Sequence, residues 1–278
     1  MSEITASLVK QLRDATNVSM MECKRALIDA GGDLEKATRL LRERGMAVAA
    51  KKASRAANQG LVVSATADDG KTASLIEINC ETDFVARNPT FIAFADELAG
   101  KACETDEPLA EKVESEIVAK VAEIGENIVL RRTVRFVQQG PGGIDAYIHL
   151  GGKVGVLVEL GAGKDETAAS PVFKELLRDL ALHVAACSPR HLTSDEVPED
   201  IIADEREIYA KQVTGKPPQV IDKIVDGKLK KFFSEICLID QGFVKEPKQS
   251  LRDLLGAKGK ELDDTLTIRR FVRYQLGE

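Results

Sequence analysis

The chain is predicted to be an α+β protein: a small helical head, then a body built twice from antiparallel strands and helices, with a helical hairpin inserted in the second copy. Three observations predict it. Over residues 1–45 the apolar residues fall into stripes at helical spacing. From Gly60 onward, strand-type alternation and turn residues take over. The chain also matches itself. At an offset of 82 residues, Gly70-Lys71-Thr72-Ala73-Ser74-Leu75-Ile76-Glu77-Ile78 lies on Gly152-Lys153-Val154-Gly155-Val156-Leu157-Val158-Glu159-Leu160, and Asn88-Pro89-Thr90-Phe91 lies on Ser170-Pro171-Val172-Phe173. Leu98-Ala99 falls on Leu180-Ala181 without a gap. At an offset of 138, Leu130–Phe136 lies on Ile268–Tyr274. An ungapped match of this length reads as an internal duplication, and the 56-residue difference between the offsets measures the extra chain in the second copy.

The head reads as three helices. Ile4, Leu8, Val9 and Leu12 form the first stripe, which ends at Thr16-Asn17-Val18-Ser19, where Asn17 tolerates a left-handed turn. Ser19 with Glu22 is a capping-box pattern, and Met20, Cys23, Ala26 and Leu27 give the inner face. Gly31-Gly32 stops that helix. Asp33 caps the third, which carries Leu34, Ala37, Leu40 and Leu41 and is expected to end at Gly45. Residues 46–59, Ala-rich and basic (Lys51, Lys52, Arg55), read as a tether.

The first body copy, 60–139, starts with a hairpin: Leu61–Ala65, a turn at Asp68-Asp69-Gly70, then Ala73–Asn79. Helices over about 89–103 and 109–125 and a strand from Ile128 to Gln138 follow. Gln139-Gly140-Pro141-Gly142-Gly143 is a linker rather than a phosphate loop, since it lacks the Lys-Ser/Thr ending and a following helix. The second copy, 144–278, contains an insertion over about 198–238: a helical stretch to 213, the breaker Gly215-Lys216-Pro217-Pro218, then Val220, Ile221, Ile224, Val225, Leu229, Phe232, Phe233 and Ile236 at helical spacing.

Composition bounds the function. With 44% hydrophobic and 30% charged residues the chain is an ordinary globular one, and its length allows about two domains. A net charge of −6 argues against a dedicated nucleic-acid binder. The charge is uneven: residues 1–56 carry +4 and the remainder −10, a basic head on an acidic body. No apolar run approaches the ~18 residues of a membrane span. Met1-Ser2-Glu3-Ile4-Thr5 lacks the order of a signal peptide. Five cysteines (Cys23, Cys80, Cys103, Cys187, Cys237), widely spaced and without Cys-x-x-Cys, fit a reduced cytoplasmic protein.

The segment Asn79-Cys80-Glu81-Thr82-Asp83-Phe84-Val85-Ala86-Arg87-Asn88 sets an aromatic among charged residues, between a strand and a helix. Phe84 there is either a core residue or an exposed one built to enter another molecule. The duplication discriminates: the second copy has Asp165-Glu166-Thr167-Ala168-Ala169, with Glu166 in place of Phe84, so closing the fold does not require an apolar residue. No Walker loop, Gly-x-Ser-x-Gly or His-Glu-x-x-His motif marks an enzyme or a cofactor site. His183, Cys187 and His191 share a helical spacing that suits zinc, but Pro189 interrupts the helix and no fourth ligand is evident. Nothing places Cys80, as a nucleophile, beside His149.

Several motifs in order resemble the bacterial elongation factor Ts family: Leu12-Arg13, Met20-Met21-Glu22-Cys23-Lys24-Arg25-Ala26-Leu27, Gly32-Asp33, the Asn79–Asn88 segment, Ile124-Gly125-Glu126-Asn127-Ile128, His149–Val158, Gly215-Lys216-Pro217 and Lys223–Lys228. The resemblance implies a guanine-nucleotide exchange factor that forms a heterodimer with elongation factor Tu. It also implies a ubiquitin-associated-like head, two similar core subdomains and a projecting helical hairpin. It assigns Asp83 and Phe84, flanked by Thr82 and Val85, to insertion near the partner's magnesium and phosphate site. Arg13, Met20 and Met21 would contact the same GTPase domain, and His149 and Leu150 a further one. It implies no cofactor, metal, catalytic residue or direct nucleic-acid contact. Asn17 and Ser19 depart from glycines frequent in the family, and a C-terminal helical module of some members has no counterpart after Glu278. Two other readings stand beside it: a ubiquitin-associated-type adaptor, for which the Phe84 segment is superfluous, and a metal or thiol enzyme using Cys187 and the histidines.

Overall fold

A computed structural model describes residues 4–16, 18–213 and 216–278. Asn17, read above as a turn residue, Met1–Glu3, and Gly215 of the hairpin breaker lie outside the described residues. The chain is a mixed helix and antiparallel-sheet protein.

Helices α1 (Ala6–Thr16), α2 (Met20–Asp29) and α3 (Leu34–Lys52) open it. Ser19 accepts from the Glu22 amide and Asp33 from the Lys36 amide, satisfying donors that each helix start leaves free. Val9, Leu12, Cys23, Ala26, Leu27, Ala37 and Leu41 bury together as a small core of their own. The expectation that α3 stops at Gly45 is corrected. The helix runs through Gly45 to Lys52, because a Cβ at Gly45 would lie 3.3 Å from the Ala122 Cβ. The missing side chain thus serves close helix approach rather than termination, and the Ala-rich sequence beyond it favours helix.

Strands β1 (Gln59–Thr66) and β2 (Thr72–Cys80) pair antiparallel, and α4 (Asp83–Ala86), α5 (Pro89–Glu104) and α6 (Leu109–Ile124) follow before β3 (Val129–Val137) closes a sheet of order β1-β2-β3. The next stretch repeats this plan. Strands β4 (Gly142–His149) and β5 (Val154–Gly161) pair, α7 (Asp165–Ala169) and α8 (Pro171–Cys187) follow, then α9 (Glu199–Gln212) and α10 (Pro218–Ile236). Two short strands, β6 (Gly242–Phe243) and β7 (Glu246–Ser250), helix α11 (Leu251–Glu261) and β8 (Thr267–Gln275) complete the chain, with a second sheet of order β4-β5-β8. Strand β4 begins two residues before the boundary expected at 144, within the glycine-rich linker.

Both central strands are buried on both faces. One face of the first sheet packs on Phe91, Phe94, Ala95, Leu98, Ala99 and Ala102 of α5. One face of the second packs on Phe173, Leu176, Leu177, Leu180, Ala181 and Val184 of α8, the same six positions at the offset of 82. The remaining faces meet in a shared core of Val62, Leu75, Phe136, Leu157 and Tyr274. Gly155 permits that approach, since a Cβ there would fall 2.4 Å from Val62 Cγ1. The result is helix, sheet, sheet, helix. Each sheet has a register shift at one place, between Glu77 and Ile78 and between Glu159 and Leu160, again 82 residues apart. Helices α9 and α10 pack against one another as an antiparallel pair, with Val225 and Leu229 buried.

Candidate functional site

The expected loop after β2 is one helical turn, α4. Thr82 caps it with backbone in the extended region, and its Oγ1 accepts from the Val85 amide at 3.3 Å. The base of the turn is held by a single carboxylate. Glu126 accepts from the Glu81 amide at 3.1 Å, the Thr82 amide at 3.0 Å and the Thr82 hydroxyl at 2.7 Å. Gly125, with φ +83°, ends α6 and reverses the chain just before Glu126. A second brace lies alongside. Glu81 accepts from the Asn127 amide at 2.7 Å and from Arg55 Nη1 at 3.3 Å, and Asn127 Nδ2 donates to the Arg55 carbonyl at 2.8 Å. The Asn127 amide, then Arg55, hold the Glu81 carboxyl below its ordinary range. Cys80 donates from Sγ to the Thr82 carbonyl at 3.2 Å. Burial first, then the Glu126 charge, push its thiol up to about 12, so it anchors the turn and is no nucleophile at neutral pH.

On this fixed base Phe84 stands 82% exposed while Ala86 is buried and Val85 half-buried. Asp83 pairs with Arg87 across the turn at 3.2 Å, both side chains well exposed. Such an exposed pair contributes at most about 1 kcal/mol, so either member is readily surrendered to a partner. The turn after β5, at the offset of 82, is braced in the same way. Asp264 accepts from the Gly163 and Lys164 amides at 3.1 and 3.0 Å. The Thr167 hydroxyl, then backbone amides, hold its carboxyl low. There the tip is the exposed Glu166. The scaffold recurs and the aromatic does not.

The other expected site residues lie on separate elements. Arg13 is exposed in the last turn of α1, and Met20 and Met21 are exposed in the first turn of α2. His149 ends β4, where its Nδ1 lies 2.9 Å from the Tyr147 hydroxyl and its ring stacks on Tyr147. Arg178 lies over the other partner of that stack, 5.2 Å from the Tyr147 centroid. Leu150 follows at the hairpin tip, 69% exposed and with φ +50°. A leucine in the left-handed region is uncommon, and here it forms part of the tight turn that joins β4 to β5.

The residues of the rival enzyme reading have structural partners. His183 is buried, accepts on Nδ1 from the Val244 amide at 3.1 Å and turns Nε2 to Gln241 Oε1 at 3.0 Å, so both ring nitrogens are engaged. Helix α8 ends at Cys187, and His191 pairs through its backbone with Cys237. Among the described residues, no group of three or more His, Cys, Asp or Glu side chains is placed to hold a metal ion, and no helix is long and apolar enough to cross a membrane. Glu126, Glu81 and Arg55 were not singled out from sequence as supports. One signal was available: at the offset of 138 Glu126 falls on Asp264, an acidic residue just past a helix end in each case.

Fold and site together define an α+β scaffold that presents an aromatic side chain on a capped, carboxylate-braced turn. A family model described as "Elongation factor TS" matches residues 81–278. The chain is 43% identical over 280 residues to an elongation factor Ts of Nitratidesulfovibrio vulgaris, covering 99% of this chain and 96% of the relative. It is 42% identical over 288 residues to one of Clostridium perfringens, and 40% identical over 287 residues to one of a Nitratiruptor species, covering 99% of this chain and 93% of the relative in each case. The chain belongs to the elongation factor Ts family.

Proposed function

We propose that this chain is a guanine-nucleotide exchange factor that forms a heterodimer with elongation factor Tu in the cytoplasm and promotes GDP release during translation elongation. The observation that carries the proposal is the 82% exposed Phe84 on a braced turn, in a chain of this family. Phe84 enters the partner's GTPase domain and supplies desolvated anchoring. Asp83, freed from Arg87, competes for polar groups around the magnesium and phosphates. Thr82 and Val85 hold the turn. Arg13, Met20 and Met21 on the head extend the contact, and His149 and Leu150 reach a further domain of the partner. No bond is made or broken in this activity, so no catalytic group, metal or cofactor is needed. A factor that binds nucleotide-free elongation factor Tu more tightly than the GDP form weakens GDP binding by the same ratio, each ~1.4 kcal/mol of difference being tenfold.

The domain reading goes with this. Residues 1–45 are a ubiquitin-associated-like head, 46–59 a tether whose first part continues α3, and 60–139 and 144–278 two subdomains descended from one by duplication. The hairpin at about 198–238 is an insertion in the second. The repeated helix faces, register shifts and carboxylate braces support that descent. The rival adaptor reading gives the Phe84 turn no task. The deciding experiment is release of a fluorescent GDP analogue from elongation factor Tu. Acceleration by this protein supports exchange; a rate equal to spontaneous release refutes it.

A further inference from the structure

Each central strand carries a fully buried glutamate, Glu77 in β2 and Glu159 in β5. Several groups around each glutamate correspond across the two sheets, while Glu77 alone also accepts from Asn79 Nδ2 at 3.2 Å and Glu159 alone from Arg269 Nη1 at 3.2 Å. Arg132 Nε donates to Glu77 at 2.7 Å, its Nη2 donates to the Gln275 carbonyl at 2.8 Å, and its guanidinium lies 4.2 Å over the Tyr274 ring. Arg270 Nε donates to Glu159 at 2.7 Å, its Nη2 to the Val137 carbonyl at 2.6 Å, and its guanidinium lies 4.1 Å over the Phe136 ring. The second oxygen of Glu77 accepts from the Gly277 amide at 3.0 Å, and that of Glu159 from the Gln139 amide at 2.7 Å. The arginine, carbonyl, ring and amide links each have a counterpart, and both arginines join a glutamate of their own sheet to the last strand of the other.

Apolar residues of equal volume would hold two sheets together at least as firmly as buried ion pairs do. What a stacked, forked guanidinium adds is geometry, because it satisfies carboxylate, carbonyl and ring in one orientation only. The two strands so fixed are those that bear the exposed apolar tips. Strand β2 leads directly into the Phe84 turn, and β5 starts at the hairpin tipped by Leu150. We infer that Glu77–Arg132 and Glu159–Arg270 form a reciprocal clasp that sets the spacing of the Phe84 turn and the Leu150 hairpin, making these four positioning residues for nucleotide exchange. The inference rests on the exchange reading above. A clasp of fixed geometry lets the second tip engage at high effective concentration once the first is bound.

The test uses Arg270→Lys, which keeps the charge beside Glu159 but loses the fork and the flat stacking surface, and its mirror Arg132→Lys as a second variant should the first not fold. Release of fluorescent GDP from elongation factor Tu is measured against factor concentration, with and without Leu150→Ala. In the otherwise unaltered chain, Leu150→Ala is expected to raise the half-saturating concentration about tenfold, the loss of one contact of a bivalent pair. In the Arg→Lys background that factor is expected to fall below about threefold, because a loosened second contact has less to lose. The folded concentration of each variant is first fixed by urea unfolding, so that a partly unfolded preparation is not read as an unchanged ratio. The same ratio in both backgrounds, with the unaltered chain active, overturns the clasp and leaves the exchange reading standing. No acceleration by the unaltered chain overturns the exchange reading, and the clasp with it.

Discussion

Replacing Phe84 with alanine separates an interaction residue from a core residue, and the structure sets the size of the effect. A phenylalanine side chain has about 200 Å² to bury, and at 82% exposure about 160 Å² of that remains for a partner. At about 25 cal/mol per Å² complete burial is worth about 4 kcal/mol, and the methyl that alanine keeps returns about 1 kcal/mol of it. The expected loss is therefore about 3 kcal/mol of stabilisation of the nucleotide-free complex, roughly a hundredfold in the efficiency of GDP release. Within its own chain the ring touches little, so the unfolding free energy should move by no more than about 0.5 kcal/mol. Stopped-flow release of fluorescent GDP measures the first quantity and urea unfolding the second. Exchange within twofold of the unaltered protein would refute the reasoning. So would a fall of several kcal/mol in stability, which would make the ring part of the core after all.

Three further outcomes follow from the same geometry. Glu126→Ala removes the acceptor of two amides and a hydroxyl, and should weaken the turn by about 2 kcal/mol while leaving Phe84 in place; faster hydrogen exchange at the Thr82 amide together with slower GDP release is expected, and unchanged protection there would contradict it. Gly45→Leu forces α3 away from Ala122 and should cost about 1–3 kcal/mol in urea unfolding, where an unchanged midpoint would show that the helices are not in close contact. Burial holds the His183 ring below the usual histidine value, with Gln241 opposing, so on acidification the unfolded chain takes up this proton first. Stability from this group is fully present above the unfolded value of about 6.5 and is lost below it, by at most about 1.4 kcal/mol per pH unit. Urea midpoints at pH 7.5 and 5.5 should differ in the unaltered protein and differ less in His183→Gln; equal differences would remove His183 from the account.

Much of the architecture was legible because it is written locally. Caps at Ser19 and Asp33, the apolar stripes of the head helices and the alternation of β1 and β2 all lie within a few residues of what they determine. Repetition carried further than any single motif: the offset of 82 matched both central strands and the helix faces that cover them. Local rules failed where a distant residue decides. Gly45 reads as a helix stop until Ala122 of α6 is placed beside it. The Phe84 segment reads as a loop because the carboxylate that braces its turn, Glu126, is more than forty residues away. Arg132 and Arg270 carry no local signal of their role, since the carbonyl and the ring that each one meets belong to the opposite sheet. Helix α11 and the β6–β7 pair, which follow the insertion, were not read from sequence at all.

The most direct test of the central claim is a photo-crosslink. A benzophenone-bearing amino acid at position 84, irradiated with nucleotide-free elongation factor Tu, is expected to give one dominant adduct on the GTPase domain, beside the magnesium and phosphate site, and excess GDP is expected to abolish it. An adduct elsewhere on the partner, or one indifferent to GDP, would contradict the account.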